Sequence, residues 1–351
     1  MSGRNISTKL GATNSRQIPI DTVGDAFFIA YNQRMESIES LLITGGSGFV
    51  GQSLLDFLSE LPSNELPERI ALTTRGGSLR VPASLLRKTN VQEIFCDLQK
   101  PWTFDFQASH IINLAGDGSS NAYSPDAATM FVLITKNLSD WCRDQFSPTV
   151  FHASSGACFG HVPLPQQMDR YYSSEKELLV EPKSNDKKEI FIRGRIAAEE
   201  LLKTAEQEGI LNLRIGRLFT FIGTHLRKKP HYAISSFVSM AETTKRIEIS
   251  GNPLTIRSYM NAEDMATWIY KSLDSSVDSS ILSIGSSTPV TIISLANFIA
   301  ELSDSKVSLL NPEAEGDVYI ANNRTTLERL QVIRTESWQD SVMKYMGIEK
   351  K

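Results

Sequence analysis

The chain has 351 residues, of which 41% are hydrophobic and 22% charged, and its formal net charge is −4. This balance is typical of a globular protein with a sizeable core, and the charge gives no general attraction to nucleic acid or to an anionic membrane. The cysteines Cys96, Cys142 and Cys158 are scattered and odd in number. They predict neither a disulfide framework nor a metal site and favour a reducing, cytoplasmic compartment. No apolar run approaches the roughly 20 residues that span a bilayer.

Residues 1–38 are predicted to be an N-terminal extension, polar at first and with a short apolar, helix-like stretch at 25–31. From residue 39, strand-like and helix-like segments alternate, as in a parallel sheet with helices on both faces. The predicted helices are 52–61 and 188–207, and the predicted strands are 41–43, 70–73, 91–96, 110–114, 149–152 and 211–214. The fold class expected from this alternation is α/β, a Rossmann-type doubly wound parallel sheet. The most linker-like internal stretch is 274–280.

A glycine-rich turn follows the first predicted strand directly and opens the first predicted helix. Its sequence is Thr44-Gly45-Gly46-Ser47-Gly48-Phe49-Val50-Gly51. Glycine lets the backbone turn sharply and approach a pyrophosphate, and a helix start offers free N–H groups with a partial positive charge. This context predicts a dinucleotide site with the cofactor-binding residues Gly45, Ser47, Gly48, Phe49, Val50 and Gly51.

The end of the second predicted strand bears on the choice of cofactor. An acidic residue there would bind the ribose 2′-hydroxyl, but this chain has Arg75, which can pair with a 2′-phosphate. Arg75 can also stack on the adenine or lie in solvent, so NADP is favoured only slightly over NAD. Further residues follow the next two strands and are expected beside the adenine or along the cofactor: Asp97, Leu98, Asn113, Ala115 and Gly116.

Four later segments resemble motifs of one family, in that family's order. They are 154–160, similar to a Ser-Ser-x-x-x-Tyr-Gly strand end; 217–223, similar to Arg-x-Phe-Asn-x-x-Gly; 251–264, similar to its Arg-Ser signature; and 281–293, similar to its Asn-x-Gly strand. With the glycine turn included, the resemblance extends over roughly residues 40–345. The chain resembles the extended short-chain dehydrogenase/reductases, in the branch of NAD(P)-dependent nucleotide-sugar epimerases and dehydratases. The resemblance implies a nucleotide-sugar substrate, surface-polysaccharide pathways and a homodimer formed through the helix 188–207 and its neighbour.

The resemblance also implies a chain in two parts. Residues 39–218, joined again by 265–288, would form the dinucleotide-binding domain, and 219–264 with 289–351 a smaller C-terminal substrate-binding part. Ser154 and Thr220 would contact the substrate. Arg257 would bind the nucleotide diphosphate, because a guanidinium fork fits phosphate oxygens well.

The implied mechanism moves a hydride from a sugar carbon to the nicotinamide while a Tyr takes the hydroxyl proton. A Lys four residues later holds the ribose and favours the phenolate, and the two share a helix face. Here Phe191 stands in the Tyr position and Arg195 in the Lys position. Phe has no proton to exchange, whereas Arg keeps the charge and can still bind ribose hydroxyls. Ser155 would bind the reacting hydroxyl.

A second register exists at Tyr172-Ser173-Ser174-Glu175-Lys176, a literal Tyr-x-x-x-Lys. Pro182 limits any helix there to a few turns. Tyr172 could alternatively lie on a loop that folds back and supplies the missing phenol. Three hypotheses stay open: an active epimerase, dehydratase or reductase of nucleotide sugars with an unusual proton donor; a catalytically impaired dinucleotide-binding or regulatory protein of the same fold; and an NADP-dependent carbonyl reductase.

Overall fold

The structure is a computed structural model, and it describes residues 36–76, 79–116, 123–160, 162–164, 187–226, 232–278, 280–332 and 336–348. Most of the predicted N-terminal extension lies outside these residues, as does Tyr172. All described residues belong to one unit, Met35–Lys351. No helix among them is both long enough and apolar enough to cross a lipid bilayer.

Fifteen strands and nine α-helices are formed by the described residues. The strands are β1 (Ser40–Thr44), β2 (Arg69–Thr74), β3 (Asn90–Phe95), β4 (His110–Asn113), β5 (Thr149–Ser155), β6 (Val162–Pro163), β7 (Asn212–Leu218), β8 (Phe221–Ile222), β9 (Arg246–Ile249), β10 (Ile256–Arg257), β11 (Met260–Asn261), β12 (Ser280–Ile284), β13 (Val290–Thr291), β14 (Lys306–Leu309) and β15 (Asp317–Tyr319). The helices are α1 (Phe49–Glu60), α2 (Ala83–Lys88), α3 (Pro125–Cys142), α4 (Lys187–Gln207), α5 (Ala233–Thr243), α6 (Ala262–Lys271), α7 (Ile292–Ser303), α8 (Arg324–Leu330) and α9 (Trp338–Met346).

The main sheet has seven parallel strands in the order β12-β7-β5-β4-β1-β2-β3. The chain moves outward from β1 to β3, and then crosses back to β4 and continues outward on the other side. Ligands of such sheets bind beyond the carboxyl ends of the strands where the order reverses, here between β1 and β4. The predicted Rossmann-type fold is confirmed, and every predicted strand overlaps an observed one.

Helices cover both faces of this sheet. Side chains of successive strand residues point to opposite faces, so Leu41 and Ile43 of β1 join a core with α1 and α6, whereas Leu42 joins one with α3 and α4. All three are fully buried. The core on the α1 side includes Trp268, and the core on the α3 side includes Leu138. The strands therefore read as nearly continuous apolar runs.

Two features differ from the sequence expectations. Helix α3 was not predicted, although Ser124 caps it by accepting a hydrogen bond from the Ala127 N–H and Pro125 begins it. The linker-like stretch around 274–278 is a tight turn, in which the Val277 N–H donates to the Asp274 carbonyl and the Val277 side chain is buried.

The remaining elements lie largely after β7. A four-stranded sheet has the order β13-β10-β15-β6, with β10 and β15 parallel. Helices α5 and α7 share a third apolar core, which includes Phe237 and Leu295. The division of the chain into a dinucleotide-binding and a substrate-binding part stays a prediction.

Candidate functional site

The glycine turn between β1 and α1 has the backbone conformation that its sequence predicts. Gly45 has φ +72°, and a Cβ there would lie 2.7 Å from the backbone carbonyl carbon of Leu114. A Cβ on Gly51 would lie 2.5 Å from the Gly45 oxygen. Ser47 and Gly48 are exposed, and Gly48, the residue before α1, has no side chain to cap the first N–H groups of the helix. The turn thus offers uncapped N–H groups at a helix start, as an anion requires.

A buried hydrogen-bonded network supports the turn from β1, β4 and β5. The Thr44 hydroxyl donates to Asn113 Oδ1 at 2.6 Å and accepts from the Ala115 N–H at 3.2 Å. The Asn113 side-chain amide donates to His152 Nδ1 at 3.0 Å. Burial, with the positive charge of Arg195 second, lowers the pKa of His152 to about 3, so the imidazole is neutral. The predicted cofactor residue Asn113 therefore uses its side chain to brace the strands.

The predicted adenine side lies at the ends of β2 and β3. Arg75 is exposed, and Asp97 holds the next turn by accepting from the Gln99 N–H at 3.1 Å. Leu98 is buried, and its carbonyl accepts a hydrogen bond from Trp102. The sequence analysis missed Phe95, whose side chain is 76% exposed and whose ring lies over Gly76. The sequence signal that could have identified Phe95 is an apolar residue on β3, a strand at the edge of the main sheet.

The two serines at the end of β5 have different surroundings. Ser154 is buried, and its hydroxyl donates a short hydrogen bond to Glu199 of α4. The same carboxylate forms a bidentate ion pair with Arg217, with nitrogen–oxygen distances of 3.1 and 2.7 Å. Ser154 therefore serves the core, and its predicted contact with a substrate stays a prediction.

Ser155 lies at the rim of the core and is half-buried. Its hydroxyl accepts from the Ala157 N–H at 3.1 Å, which caps a short 3₁₀ turn. The Tyr319 hydroxyl donates to the Leu218 carbonyl at 3.3 Å, and its ring packs on Phe219 with centroids 4.9 Å apart. Sequence reasoning missed Tyr319, since no local motif marks it.

Helix α4 carries both departed positions. Arg195 donates to the carbonyl of Ala153 at 3.3 Å, and its guanidinium lies over the Phe131 ring of α3, 3.5 Å from the ring centroid. The Phe191 ring is 4.9 Å from the same guanidinium. Tyr123, a residue that was not predicted, packs its ring on Phe191 at 5.1 Å. Arg195, which stands in the Lys position, thus lies beside the end of β5. It also lies close to Gly116, since a Cβ on that glycine would be 3.3 Å from the Arg195 guanidinium.

Arg257 lies on β10 and is held by an acidic neighbour. Its guanidinium pairs with Asp317 at 2.7 Å and also donates to the Asp317 carbonyl at 3.3 Å. Lys188 of α4 lies 3.7 Å from the second oxygen of this carboxylate. Thr220, the other predicted substrate contact, is half-buried just after β7. Across the described ranges, no group of three His, Cys, Asp or Glu side chains is arranged to hold a metal ion.

Comparison with known proteins shows the family of the chain. The sequence model of the NAD dependent epimerase/dehydratase family matches residues 41–285. The chain belongs to this family. The UDP-glucuronic acid decarboxylase 3 of Arabidopsis thaliana is 21% identical over 272 residues, which cover 77% of this chain and 76% of that protein. The resemblance deduced from the motifs is confirmed.

Two solved structures share the fold. The UDP-N-acetylglucosamine 4-epimerase from Methanobrevibacter ruminantium M1 superposes with a TM-score of 0.71 at 18% identity, covering 89% of this chain and 98% of that one. A Tyr-to-Phe mutant of the UDP-glucuronic acid 4-epimerase from Bacillus cereus, in complex with UDP-4-deoxy-4-fluoro-glucuronic acid and NAD, has a TM-score of 0.69 at 17% identity. It covers 88% of this chain and 99% of that one.

Proposed function

We propose that this chain binds a nicotinamide dinucleotide on the Gly45–Gly51 turn and transfers a hydride at a sugar carbon of a nucleotide-linked sugar. The observation that carries the proposal is the close backbone packing of that turn, which excludes any side chain at two of its glycines. Gly45 and Gly51 leave no room for a side chain, and they lead into a helix start with uncapped N–H groups. Family membership over residues 41–285 supports the same assignment.

The cofactor and the class of substrate are inferred from residues of this chain and from its relatives. NAD is present in some of the similar structures, among them MoeE5 with UDP-glucose and the Bacillus cereus epimerase mutant, and it is the first cofactor to test. The exposed Arg75 at the end of β2 keeps NADP as the alternative. The relatives bind or act on UDP-linked hexoses and uronic acids, and we expect a substrate of that class here.

Individual residues have proposed roles at this site. Ser155 would contact the reacting hydroxyl, Arg195 the ribose, and Arg257 the diphosphate, with Thr220 nearby. A diphosphate would compete with Asp317 for the Arg257 guanidinium, since the two are paired at 2.7 Å. We also propose a homodimer through α3 and α4, a role in polysaccharide biosynthesis and a cytoplasmic location, the last because the three cysteines are unpaired.

A second candidate is a dinucleotide-binding protein of this fold with impaired turnover. It is favoured by Phe191, which has no proton to exchange at the expected Tyr position, and by the contacts that hold Arg195 on Phe131. General acid–base catalysis is typically worth about 10²–10⁴ in rate, so this loss matters unless another group replaces the phenol. An NADP-dependent carbonyl reductase is a weaker third candidate, because such an enzyme has no need of the Arg257 segment.

Calorimetric titration separates these candidates. NAD and NADP are titrated first, and then UDP-glucose and UDP-glucuronic acid are added to the cofactor complex while the nicotinamide absorbance is followed. We expect saturable binding of one cofactor and an absorbance change with at least one sugar nucleotide. Binding of both ligands with neither an absorbance change nor conversion of the sugar nucleotide would favour the impaired protein, and absence of cofactor binding would contradict the proposal altogether.

A further inference from the structure

One face of the four-stranded sheet carries charged side chains and borders the main sheet. β10 and β15 are parallel, with Arg257 opposite Tyr319. Because successive residues of a strand alternate between faces, Arg257, Asp317 and Tyr319 share one face, while apolar residues of the same strands form a small core on the other. The Tyr319 hydroxyl donates to the Leu218 carbonyl at the end of β7. The charged face therefore lies beside the strand ends where the proposed hydride transfer takes place.

A single carboxylate on this face is shared by two cations. Asp317 Oδ1 lies 2.7 Å from the Arg257 guanidinium, and its Oδ2 lies 3.7 Å from Lys188 Nζ. Lys188 belongs to the first turn of α4, the helix that also carries Phe191 and Arg195. Its side chain is 49% exposed, whereas those of Arg257 and Asp317 are 26% and 20% exposed. The lysine is therefore the member of the group that can most readily follow a ligand.

The charges of these three residues decide what the face can bind. Asp317 neutralises Arg257, so the arginine alone offers little net attraction to an anion. A diphosphate in a nucleotide sugar carries a negative charge on each phosphate. Lys188 restores a net positive charge to the group, and its ammonium on a flexible stem can reach phosphate oxygens beside the planar guanidinium. The lysine thus supplies the attraction that the Asp317 carboxylate removes.

The carboxylate of Asp317 is not needed to keep Arg257 in place. The guanidinium also donates to the backbone carbonyl of Ile256 at 2.9 Å and to that of Asp317 at 3.3 Å. Asp317 itself lies on β15, which is paired with β10 on one side and with β6 on the other. The main effect of the carboxylate on this face is therefore electrostatic.

We propose that Lys188 is a second diphosphate-binding residue of the nucleotide-sugar site and acts together with Arg257. The inference rests on the proposed function, because it completes the substrate site of that function. Before the substrate binds, both cations share the Asp317 carboxylate, and afterwards they share the oxygens of the diphosphate. Asp317 lowers the affinity for the substrate, since its negative charge stays beside the bound phosphates.

A sugar carboxylate is the rival anion for Lys188. Some of the relatives act on or bind UDP-glucuronic acid, and its carboxylate can also pair with an ammonium. The diphosphate is favoured because Lys188 and Arg257 meet at the same side chain, that of Asp317. An anion that binds the guanidinium in place of this carboxylate is therefore within reach of the lysine as well.

The test is calorimetric titration of four variants and the wild type. UMP, UDP, UDP-glucose and UDP-glucuronic acid are titrated into Lys188→Met, Asp317→Asn, the combination of the two, and Lys187→Met. Lys187 is the matched control, because it is an exposed neighbour of the same charge on α4, whereas the observed contact with Asp317 is made by Lys188. NAD and NADP are titrated separately, and urea unfolding checks that each variant is folded.

We expect Lys188→Met to weaken binding of UDP and UDP-glucose about tenfold, with a smaller loss for UMP, which has a single phosphate. Asp317→Asn should strengthen UDP binding about fivefold, because a like charge is removed from beside the phosphates. The combined variant has the same net charge on this face as the wild type, and its UDP affinity should return to within about threefold of the wild-type value. Lys187→Met should stay within about twofold, since a solvated charge farther away is screened.

Several results would overturn the assignment of Lys188. They are an unchanged UDP affinity in Lys188→Met, equal losses in Lys187→Met and Lys188→Met, UDP binding in Asp317→Asn that is no tighter than in the wild type, and a loss confined to UDP-glucuronic acid. A wild type that binds a dinucleotide but none of the uridine nucleotides would also overturn it. A wild type that binds UDP but no dinucleotide is a different result, since it would contradict the proposed function and leave the role of Lys188 measurable.

Discussion

The guanidinium carbon of Arg195 lies 3.5 Å from the centroid of the Phe131 ring. This contact joins α3 to α4 at the position where the family resemblance expects a lysine. An arginine can stack flat on a ring and keep its charge in every condition, whereas a lysine cannot stack in this way. Arg195, in the position expected for lysine, therefore also holds a positive charge beside β5, but it does so by stacking on Phe131.

The first prediction concerns the strength of this contact. We expect a double-mutant cycle with Phe131→Leu and Arg195→Met to give a coupling free energy of about 1–2 kcal/mol, since the pair is partly desolvated. Urea unfolding of the wild type, the two single variants and the double variant measures it. A coupling near zero would show that the stacked geometry does not stabilise the fold.

The second prediction concerns the register of α4. Phe191→Tyr with Arg195→Lys rebuilds the expected pair and should raise hydride transfer about 10²-fold over the wild type. Adding Phe191→Tyr alone shows whether Arg195 can replace the lysine. If neither combination raises the rate while cofactor binding is intact, position 191 does not reach the reacting oxygen and the register is wrong.

The third prediction separates backbone strain from crowding at the glycine turn. Gly45 and Gly209 both have positive φ, but only Gly45 has a neighbouring backbone within reach of a Cβ. Gly209→Ala should cost about 1 kcal/mol of unfolding free energy and leave cofactor affinity unchanged. Gly45→Ala should cost more and weaken NAD or NADP binding at least about tenfold, because the turn must shift away from the helix start. Equal cofactor affinity in both variants would exclude the turn as the dinucleotide site.

The fourth prediction concerns acid stability. Burial holds the pKa of His152 at about 3 in the fold, below about 6.5 in the unfolded chain. As the pH falls, the unfolded state therefore binds a proton before the folded state does. The contribution of neutral His152 to the free energy of unfolding is complete above about pH 6.5 and is lost as the pH falls toward 3. Between pH 7 and pH 5 the wild type should lose about 2 kcal/mol more unfolding free energy than His152→Gln. If urea unfolding shows the same loss of unfolding free energy in the wild type and in His152→Gln, His152 is not responsible for the acid sensitivity.

The fifth prediction concerns the buried pair of Glu199 and Arg217. Either Glu199→Leu or Arg217→Leu leaves one charge unpaired in the core and should cost about 3–5 kcal/mol of unfolding free energy. The double variant should cost less than the sum of the two, because no charge then remains unpaired. Additive losses would mean that the two groups act independently, in conflict with their bidentate contact at 2.7 and 3.1 Å.

The sequence predicted the parts of the fold whose signals are local. Apolar runs bounded by turns marked the strands, and the order strand, glycine turn, helix marked the phosphate site. Helix α3 was missed because its start, Ser124-Pro125, reads as a turn as readily as a cap.

The arrangement of the candidate site depends on contacts between residues distant in the sequence, which no local sequence pattern predicts. Period-two alternation places Ser154 and Ser155 on opposite faces of β5, but only the packing of Glu199 on α4 decides which serine is buried. The contacts of Tyr319 with the Leu218 carbonyl and the Phe219 ring depend on the small four-stranded sheet, which the sequence predicted only as part of a substrate-binding region. Similarly, the stacking of Arg195 on Phe131 required the helix that was missed.

The outermost strand of the main sheet, β12, comes from a segment far downstream of its neighbour β7. Synthesis must pass residue 280 before β7 is covered, and five of the seven residues of β7 are buried in the finished sheet. A nascent chain or a fragment that ends sooner leaves the backbone N–H and C=O groups on that side of β7 unpaired, and other chains can pair with them. The segment up to β7 is therefore not expected to fold separately, and a shortened product is expected to aggregate even with every glycine of the turn intact.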